Sequence, residues 1–223
     1  MNSRMQAEAG RRERPVAAVL REAIGLGDFA PNQRLIEADL SVHFGTSRAA
    51  VRSALIELAG EGLVERNHNR GARVREISRD EAIEIAEVRL SVEPFCAGRA
   101  AARIGAEEIA ELRELGAALR TAVERGDLTG YVLLSRDLSR CLWELSAQRV
   151  AVDVLDRLSV CDRQYQFRLA LQAGVPRRRL PGQLSVIEAV CARDAERAAD
   201  AVRGHLSSVL ADLMKEPAAV ANQ

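Results

Sequence analysis

Arg48 and Arg52 stand one helical turn apart in SRAAVRSALIEL, and Arg70 and Arg73 flank Gly71 in a second basic stretch, NHNRGARV. Arginine is the side chain best suited to bind guanine O6 and N7 bidentately, and an i, i+4 pair presents two guanidiniums on one helix face. Ala49 and Ala50, beside them, are small enough to let a helix approach a duplex closely. Ser47 can cap that helix, and its hydroxyl together with the helix N-terminus can hold a phosphate. Asn69, Arg70 and Gly71 put a basic tip on a turn, where it can follow a phosphate or enter the minor groove. Two arginines on an isolated helix read more readily as a solvated face, so the neighbouring elements must decide.

Those elements are legible. PVAAVLREAIGLG carries an apolar stripe at helical spacing (Val16, Val19, Leu20, Ala23, Ile24) and is ended by Gly25 and Gly27. DFAPNQRL reads as a loop with Pro31 and Asn32 as turn residues, and IEADLSVHFG as a short helix with Leu40 and Phe44 inward, stopped by Gly45. Thr46 or Ser47 then opens a third helix over about 48–60, whose Val51, Leu55 and Leu58 face the core and leave Arg48 and Arg52 outside. Two short β-like runs, 63–66 and 72–75, flank a polar turn ending at Gly71. Three helices and a two-stranded wing make a winged helix-turn-helix, whose third helix enters the major groove.

From Ser78 the pattern is helical almost to the end. Ser78 and Glu81 form a capping box, and further helices are expected at about 106–125, 127–146, 148–172, 181–193 and 194–215. The breaks fall at Gly105, at Gly126, over 174–176, and at Pro181 and Gly182. The fold class is therefore mainly α, with a winged helix-turn-helix over 15–77 and an all-α helical bundle over 78–216. Residues 1–14 and 217–223 read as flexible tails. Aromatics make up only 3% of the chain, which also favours helices over sheets.

Bulk charge decides little, because residues 1–76 carry 12 Arg against 10 acidic side chains within a chain of net charge zero. Position has to carry the DNA-binding case. Cys96, Cys141, Cys161 and Cys191 are far apart, form no CxxC, and read as reduced core thiols, with a thiol sensor as the lesser alternative. No apolar run reaches the ~18–20 residues of a membrane span and no signal peptide is visible, so a cytoplasmic protein with no membrane partner is expected. The sequence holds no His/Cys/Asp cluster, Gly-rich phosphate loop or Ser-His-Asp arrangement, so no catalytic residues and no enzyme are expected. A metal- or thiol-dependent sensor or enzyme is the distant alternative.

The head, LREAIGLGDFAPNQRLIEADLSVHFGTSRAAVRSALIELAGEGLVERNHNRGARV, resembles the DNA-binding domain of GntR-type transcriptional regulators. The remainder resembles the FCD effector domain of their FadR branch, through EVRxxxEP (87–94), ARDAE (192–196) and VRGHL (202–206). The resemblance implies a homodimer that represses or activates from a palindromic operator on double-stranded DNA. It also implies control by a small metabolite, often an organic or sugar acid. Family members often carry Thr-Pro or Thr-Thr where this chain has Ala49 and Ala50, and Glu where it has Ser53. Losing those hydroxyls removes hydrogen bonds to DNA and should alter operator preference.

The resemblance also implies a metal site: an Asp-x3-His on one helix, then two His 22 residues apart. In register with the family those positions hold Ser135, Ser139, Gln183 and His205. One imidazole, one amide and two hydroxyls do not make a Zn²⁺ site, so no metal and no cofactor are expected. A shifted register offers Asp137 and Cys141, but displaces Leu142 and still lacks a second imidazole. The four positions stay polar among apolar neighbours (Leu138, Leu142, Val186, Ile187, Leu206), which suggests a cavity holding either a ligand or trapped water. Arg89, and Arg163 with it, either bind a carboxylate effector there or pair with a nearby Glu. The leading reading is a repressor whose operator affinity is set by an organic acid. The alternative keeps the DNA binding but makes the bundle a dimerisation module without an effector.

Overall fold

A computed structural model describes residues 15–67 and 71–215, and the chain separates into two compact units between Ile77 and Ser78. The first unit runs α1 (Val16–Gly25), β1 (Arg34–Leu35), α2 (Glu37–His43), α3 (Arg48–Gly60), β2 (Val64–Asn67) and β3 (Gly71–Val74). Leu20 and Ile24 of α1, Leu40 of α2 and Val51, Leu55 and Leu58 of α3 are all buried, together with Val64 and Val74 of the sheet. The i, i+4, i+7 spacing on α3 thus fixes which face is inward, and its arginines are left on the other. Ser47, rather than Thr46, caps α3, its Oγ accepting from the Ala50 N–H at 3.1 Å. The chain turns from α2 into α3 at Gly45, whose φ of +61° lies in the left-handed region that a side chain resists. Arg21 of α1 ties to α3, donating to Glu61 at 2.7 Å and to Glu57 at 2.8 Å.

The wing corrects the expectation of two strands. Its sheet has three, ordered β1-β3-β2, all antiparallel, with Arg34 opposite Arg73 and Val64 opposite Val74. The stretch read as loop supplies β1, which is only two residues long, with Leu35 buried and Arg34 exposed. Two residues carry no readable alternation, and the strand forms because β3 offers it an unpaired edge.

The second unit is all helix among its described residues: α4 (Arg79–Arg103), α5 (Ala106–Arg125), α6 (Leu128–Ser146), α7 (Arg149–Ala170), α8 (Val175–Cys191) and α9 (Ala195–Lys215). α9 packs along α4 and α8, α6 lies against α4 and α5, and α7 against α4 and α6. Ser78 caps α4 by accepting from the Glu81 N–H at 3.1 Å, and Asp127 caps α6 by accepting from the Gly130 N–H at 2.8 Å.

The break expected at Pro181 and Gly182 is absent. α8 instead begins at Val175, after left-handed Gly174, and runs through both residues. Gly182 serves a close approach: a Cβ there would meet Nδ1 of His205 at 3.2 Å. No described helix is long and apolar enough to cross a membrane.

Candidate functional site

On α3, Arg48, Ala49, Arg52 and Ser53 are exposed and Ala50 is half-buried, so the residues read as DNA contacts share an accessible face. Arg52 is not unengaged there. Its Nε donates to both carboxylate oxygens of Glu37, at 2.9 and 3.1 Å, and its Nη2 donates to Oε2 at 2.6 Å. The hydrogen bond from Arg52 holds the Glu37 carboxyl below its usual range, and the charges of Arg66 and Arg48 add to the effect. Three arginines from α3 and the wing therefore act on one carboxylate at the start of α2. Arg73 pairs across the sheet with its register partner Glu65, at 2.7 Å, and is a structural charge. Gly71 opens β3 with a φ of +84°, which explains a glycine at that turn. Asn69 and Arg70 lie outside the described residues, as does His68.

The second unit brings three of the four metal-register positions into one region. Ser135 of α6 and Gln183 of α8 meet, the Gln183 amide nitrogen donating to Ser135 Oγ at 2.8 Å. His205 of α9 presses its Nδ1 against Gly182. Ser139 is half-buried one turn beyond Ser135. Arg89 of α4 donates to Glu93 at 2.6 Å and to Asp162 of α7 at 3.3 Å, so it already holds two carboxylates, as the ion-pair alternative had it. Arg163 is half-buried on α7. Burial pushes the Asp162 carboxyl up against the pull of Arg89, with Glu93 adding to the rise, as befits two carboxylates sharing one guanidinium.

Sequence reading missed Tyr131, one turn before Ser135, and Arg179, one turn before Gln183. Both are buried, at 2% and 7% exposure. Tyr131 has the look of an ordinary core aromatic, and Arg179 is hidden in the run RRR, which reads as surface charge. The one available signal was that Arg179 lies at i−4 from a position already marked as interior. Arg179 pairs with Asp212 of α9 at 3.3 Å.

The first unit matches the gntR family of bacterial regulatory proteins over residues 13–74, and the second matches the FCD domain over residues 84–208. The chain belongs to the gntR family. Among relatives of this gntR-family chain, the HTH-type transcriptional repressor RspR of Escherichia coli is 27% identical over 181 residues, 81% of this chain and 79% of that protein. A probable D-xylose utilization operon transcriptional repressor of Paenarthrobacter nicotinovorans is 26% identical, over 78% of this chain and 76% of its own. In fold, Escherichia coli McbR/YncC superposes with a TM-score of 0.81 at 23% identity, covering 90% of this chain and 95% of that one. A putative GntR regulator from Rhodococcus sp. RHA1 gives 0.75 at 25% identity, covering 91% and 97%. The protein is a DNA-binding transcriptional regulator.

The donor set of this gntR-family regulator does not fit the metal that its FCD domain implies. Ser135 donates its proton to the Tyr131 carbonyl at 2.7 Å and accepts from Gln183, which leaves an imidazole, an amide and the Ser139 hydroxyl, too weak a set for a transition metal. Among the described residues no cluster of three or more His, Cys, Asp or Glu side chains is placed to hold an ion.

Burial, with the charges of Arg179 and Arg89, pushes the His205 imidazole down to about 4, so it is neutral at physiological pH. An ordinary imidazole titrates near 6.5, so between pH 6.5 and 4 the unfolded chain binds the proton and the folded chain does not. Stability from this residue is present above pH 6.5 and lost as pH falls towards 4, on the order of 3 kcal/mol in all. His205→Asn should flatten the fall in melting temperature across that window relative to wild type. Parallel melting curves would mean that the imidazole is solvated.

Proposed function

We propose that this regulator is a cytoplasmic homodimer that binds a palindromic operator and acts as a repressor released or reset by a small organic acid. Arg48 and Arg52 read bases, Ser47 and the start of α3 hold a phosphate, and Ala49 and Ala50 let the helix approach. Asn69, Arg70 and Gly71 carry the wing contact. The observation that carries the DNA-binding part is the α3 face, accessible and basic, set beyond a left-handed turn and capped by Ser47. The effector part is supported by polar atoms that the helical unit buries without partners, Gln183 Oε1 and His205 Nδ1. The acid would bind one arrangement of the bundle better than another and shift operator affinity by that difference.

Support for a second copy comes from exposed apolar side chains on two helices that pack together, Val88 and Phe95 of α4 and Val150 and Val154 of α7. Gathering such side chains on a monomer surface is unfavourable, and a partner would cover them. Phe95→Asp should convert a dimer into a monomer in sedimentation velocity while leaving the helical content unchanged; a variant still dimeric places the interface elsewhere. Selection of bound sequences from a random DNA pool tests the whole reading. A two-fold symmetric consensus supports it, and an asymmetric or absent consensus rejects it.

A further inference from the structure

Arg79 is the first residue of α4 and the second of the helical unit. Its guanidinium reaches the last turn of α9, Nε donating to the Leu213 carbonyl at 3.0 Å and Nη2 to the Met214 carbonyl at 2.8 Å. The final carbonyls of a helix have no partner within it and form the negative end of its dipole, so a forked cation satisfies both needs at once. At the other end of the same helix pair, Gly98 of α4 lets the backbones close up: a Cβ there would meet the Ala195 carbonyl oxygen at 3.1 Å. Arg79 and Gly98 are 19 residues apart, a span of about 28 Å at the α-helical rise. Helices α4 and α9 are thus held together, antiparallel, at both ends.

The turn of α9 that Arg79 grips is also held by α8. Asp212, next to Leu213, pairs with Arg179 at 3.3 Å and with Arg178 at 3.5 Å. Arg179 stands one turn before Gln183, whose amide nitrogen donates to Ser135 of α6 at 2.8 Å. His205, two turns before Asp212 on α9, lies against Gly182 of α8. Polar contacts therefore connect the interior of the bundle to Asp212, and the backbone from Asp212 to Met214 passes them on to Arg79. From there only Ser78 separates α4 from the end of the first unit, and β3 ends five residues before Arg79. Hydrogen bonds weaken steeply beyond about 3.2 Å, so a small shift of α8 or α9 must either carry Arg79 with it or break the clamp.

Building on the reading that the state of the bundle sets operator affinity, we propose that Arg79 couples the two. It clamps the last turn of α9 to the start of α4, and so transmits the arrangement of Ser135, Gln183, Arg179 and Asp212 to the DNA-binding unit. Arg79 is a positioning residue, acting through α4. The clamp does not depend on what fills the interior, since any change that moves α8 against α9 pulls on the same two carbonyls. A helix cap without this role would stabilise α9 and leave operator binding alone, and a double-mutant cycle separates the two cases.

The test uses the full-length protein and the operator selected from random DNA, with binding followed by fluorescence anisotropy in wild-type and Arg79→Met backgrounds. Asp212→Asn removes the charge that holds Arg178 and Arg179, and Gln183→Leu removes the bond to Ser135. At least one of these two should change operator affinity by about fivefold or more in the wild-type background, and by less than about twofold once Arg79 is replaced. Arg79→Met should also speed amide exchange in the last turn of α9, and unchanged exchange there refutes the clamp. If circular dichroism shows Arg79→Met unfolded, Arg79→Lys takes its place, since an ammonium keeps the charge but cannot fork onto two carbonyls. A shift of similar size in both backgrounds also refutes the clamp, and leaves the bundle acting on operator affinity by another route. Silence of both interior variants in both backgrounds overturns the clamp together with the reading on which it rests.

Discussion

Arg52→Ala is expected to lower the preference for the selected operator over random DNA by on the order of 10²- to 10³-fold, since a dimer loses one bidentate base contact in each half-site. The effect should fall on discrimination more than on total affinity, because phosphate contacts supply most of the non-specific term. Arg70→Ala gives the contrast: a loss spread evenly over sequences, with a shallower dependence on salt. The Glu37 carboxylate that holds Arg52 through three hydrogen bonds sharpens the expectation. The guanidinium is held in place before DNA arrives, and an exposed pair of this type is weak enough to exchange for a guanine edge. Glu37→Gln should therefore tighten binding to every sequence and narrow the ratio between operator and random DNA. Competition electrophoresis measures both quantities. If Arg52→Ala still discriminates as wild type does, α3 does not read bases through this residue.

The contrast between the two units shows what a sequence can carry. In the first, helix α3 was legible because its apolar residues repeat at 3.6 and its cap residue is explicit; the strand β1 was not, since Arg34 and Leu35 are too few to show a period. Glu37 escaped notice because its meeting with Arg52 spans fifteen residues and two helices, a distance no local pattern encodes. In the second unit the polar positions Ser135, Gln183 and His205 were found through family register, and the fold brings them together. Arg179 and Asp212 were missed because burial of a charge is a property of packing, and RRR looks solvated in one dimension. Pro181 and Gly182 misled for a related reason: they punctuate a helix on average, yet here Gly182 makes room for the His205 ring.

Arg89→Met should cost the helical unit about 3–5 kcal/mol, although methionine fills much the same space. Arg89 is the cation shared by Glu93 and Asp162, whose side chains are 7% and 3% exposed. Removing it leaves two carboxylates in an apolar interior, close to one another. Burial already pushes the Asp162 carboxyl up, while the Glu93 and Asp162 carboxylates hold the Arg89 guanidinium firmly charged against its own desolvation. Without the arginine both acids should bind protons more readily folded than unfolded, so the stability of the variant should fall as pH rises, with its deficit larger at pH 8 than at pH 5. Thermal melts followed by circular dichroism would show a drop of about 10 °C at the higher pH, taking roughly 2–4 °C per kcal/mol for a chain of this size. Adding Glu93→Gln and Asp162→Asn should recover most of the loss, since neutral groups of the same shape need no counter-charge. An unchanged melting temperature in the single variant would mean that water, not Arg89, satisfies those acids. The same replacement bears on sensing, because the Arg89 charge is one of two that reach His205. Its removal should weaken carboxylate binding even in the recovered triple variant, which separates the role of Arg89 in holding the bundle together from its role in setting the field within it.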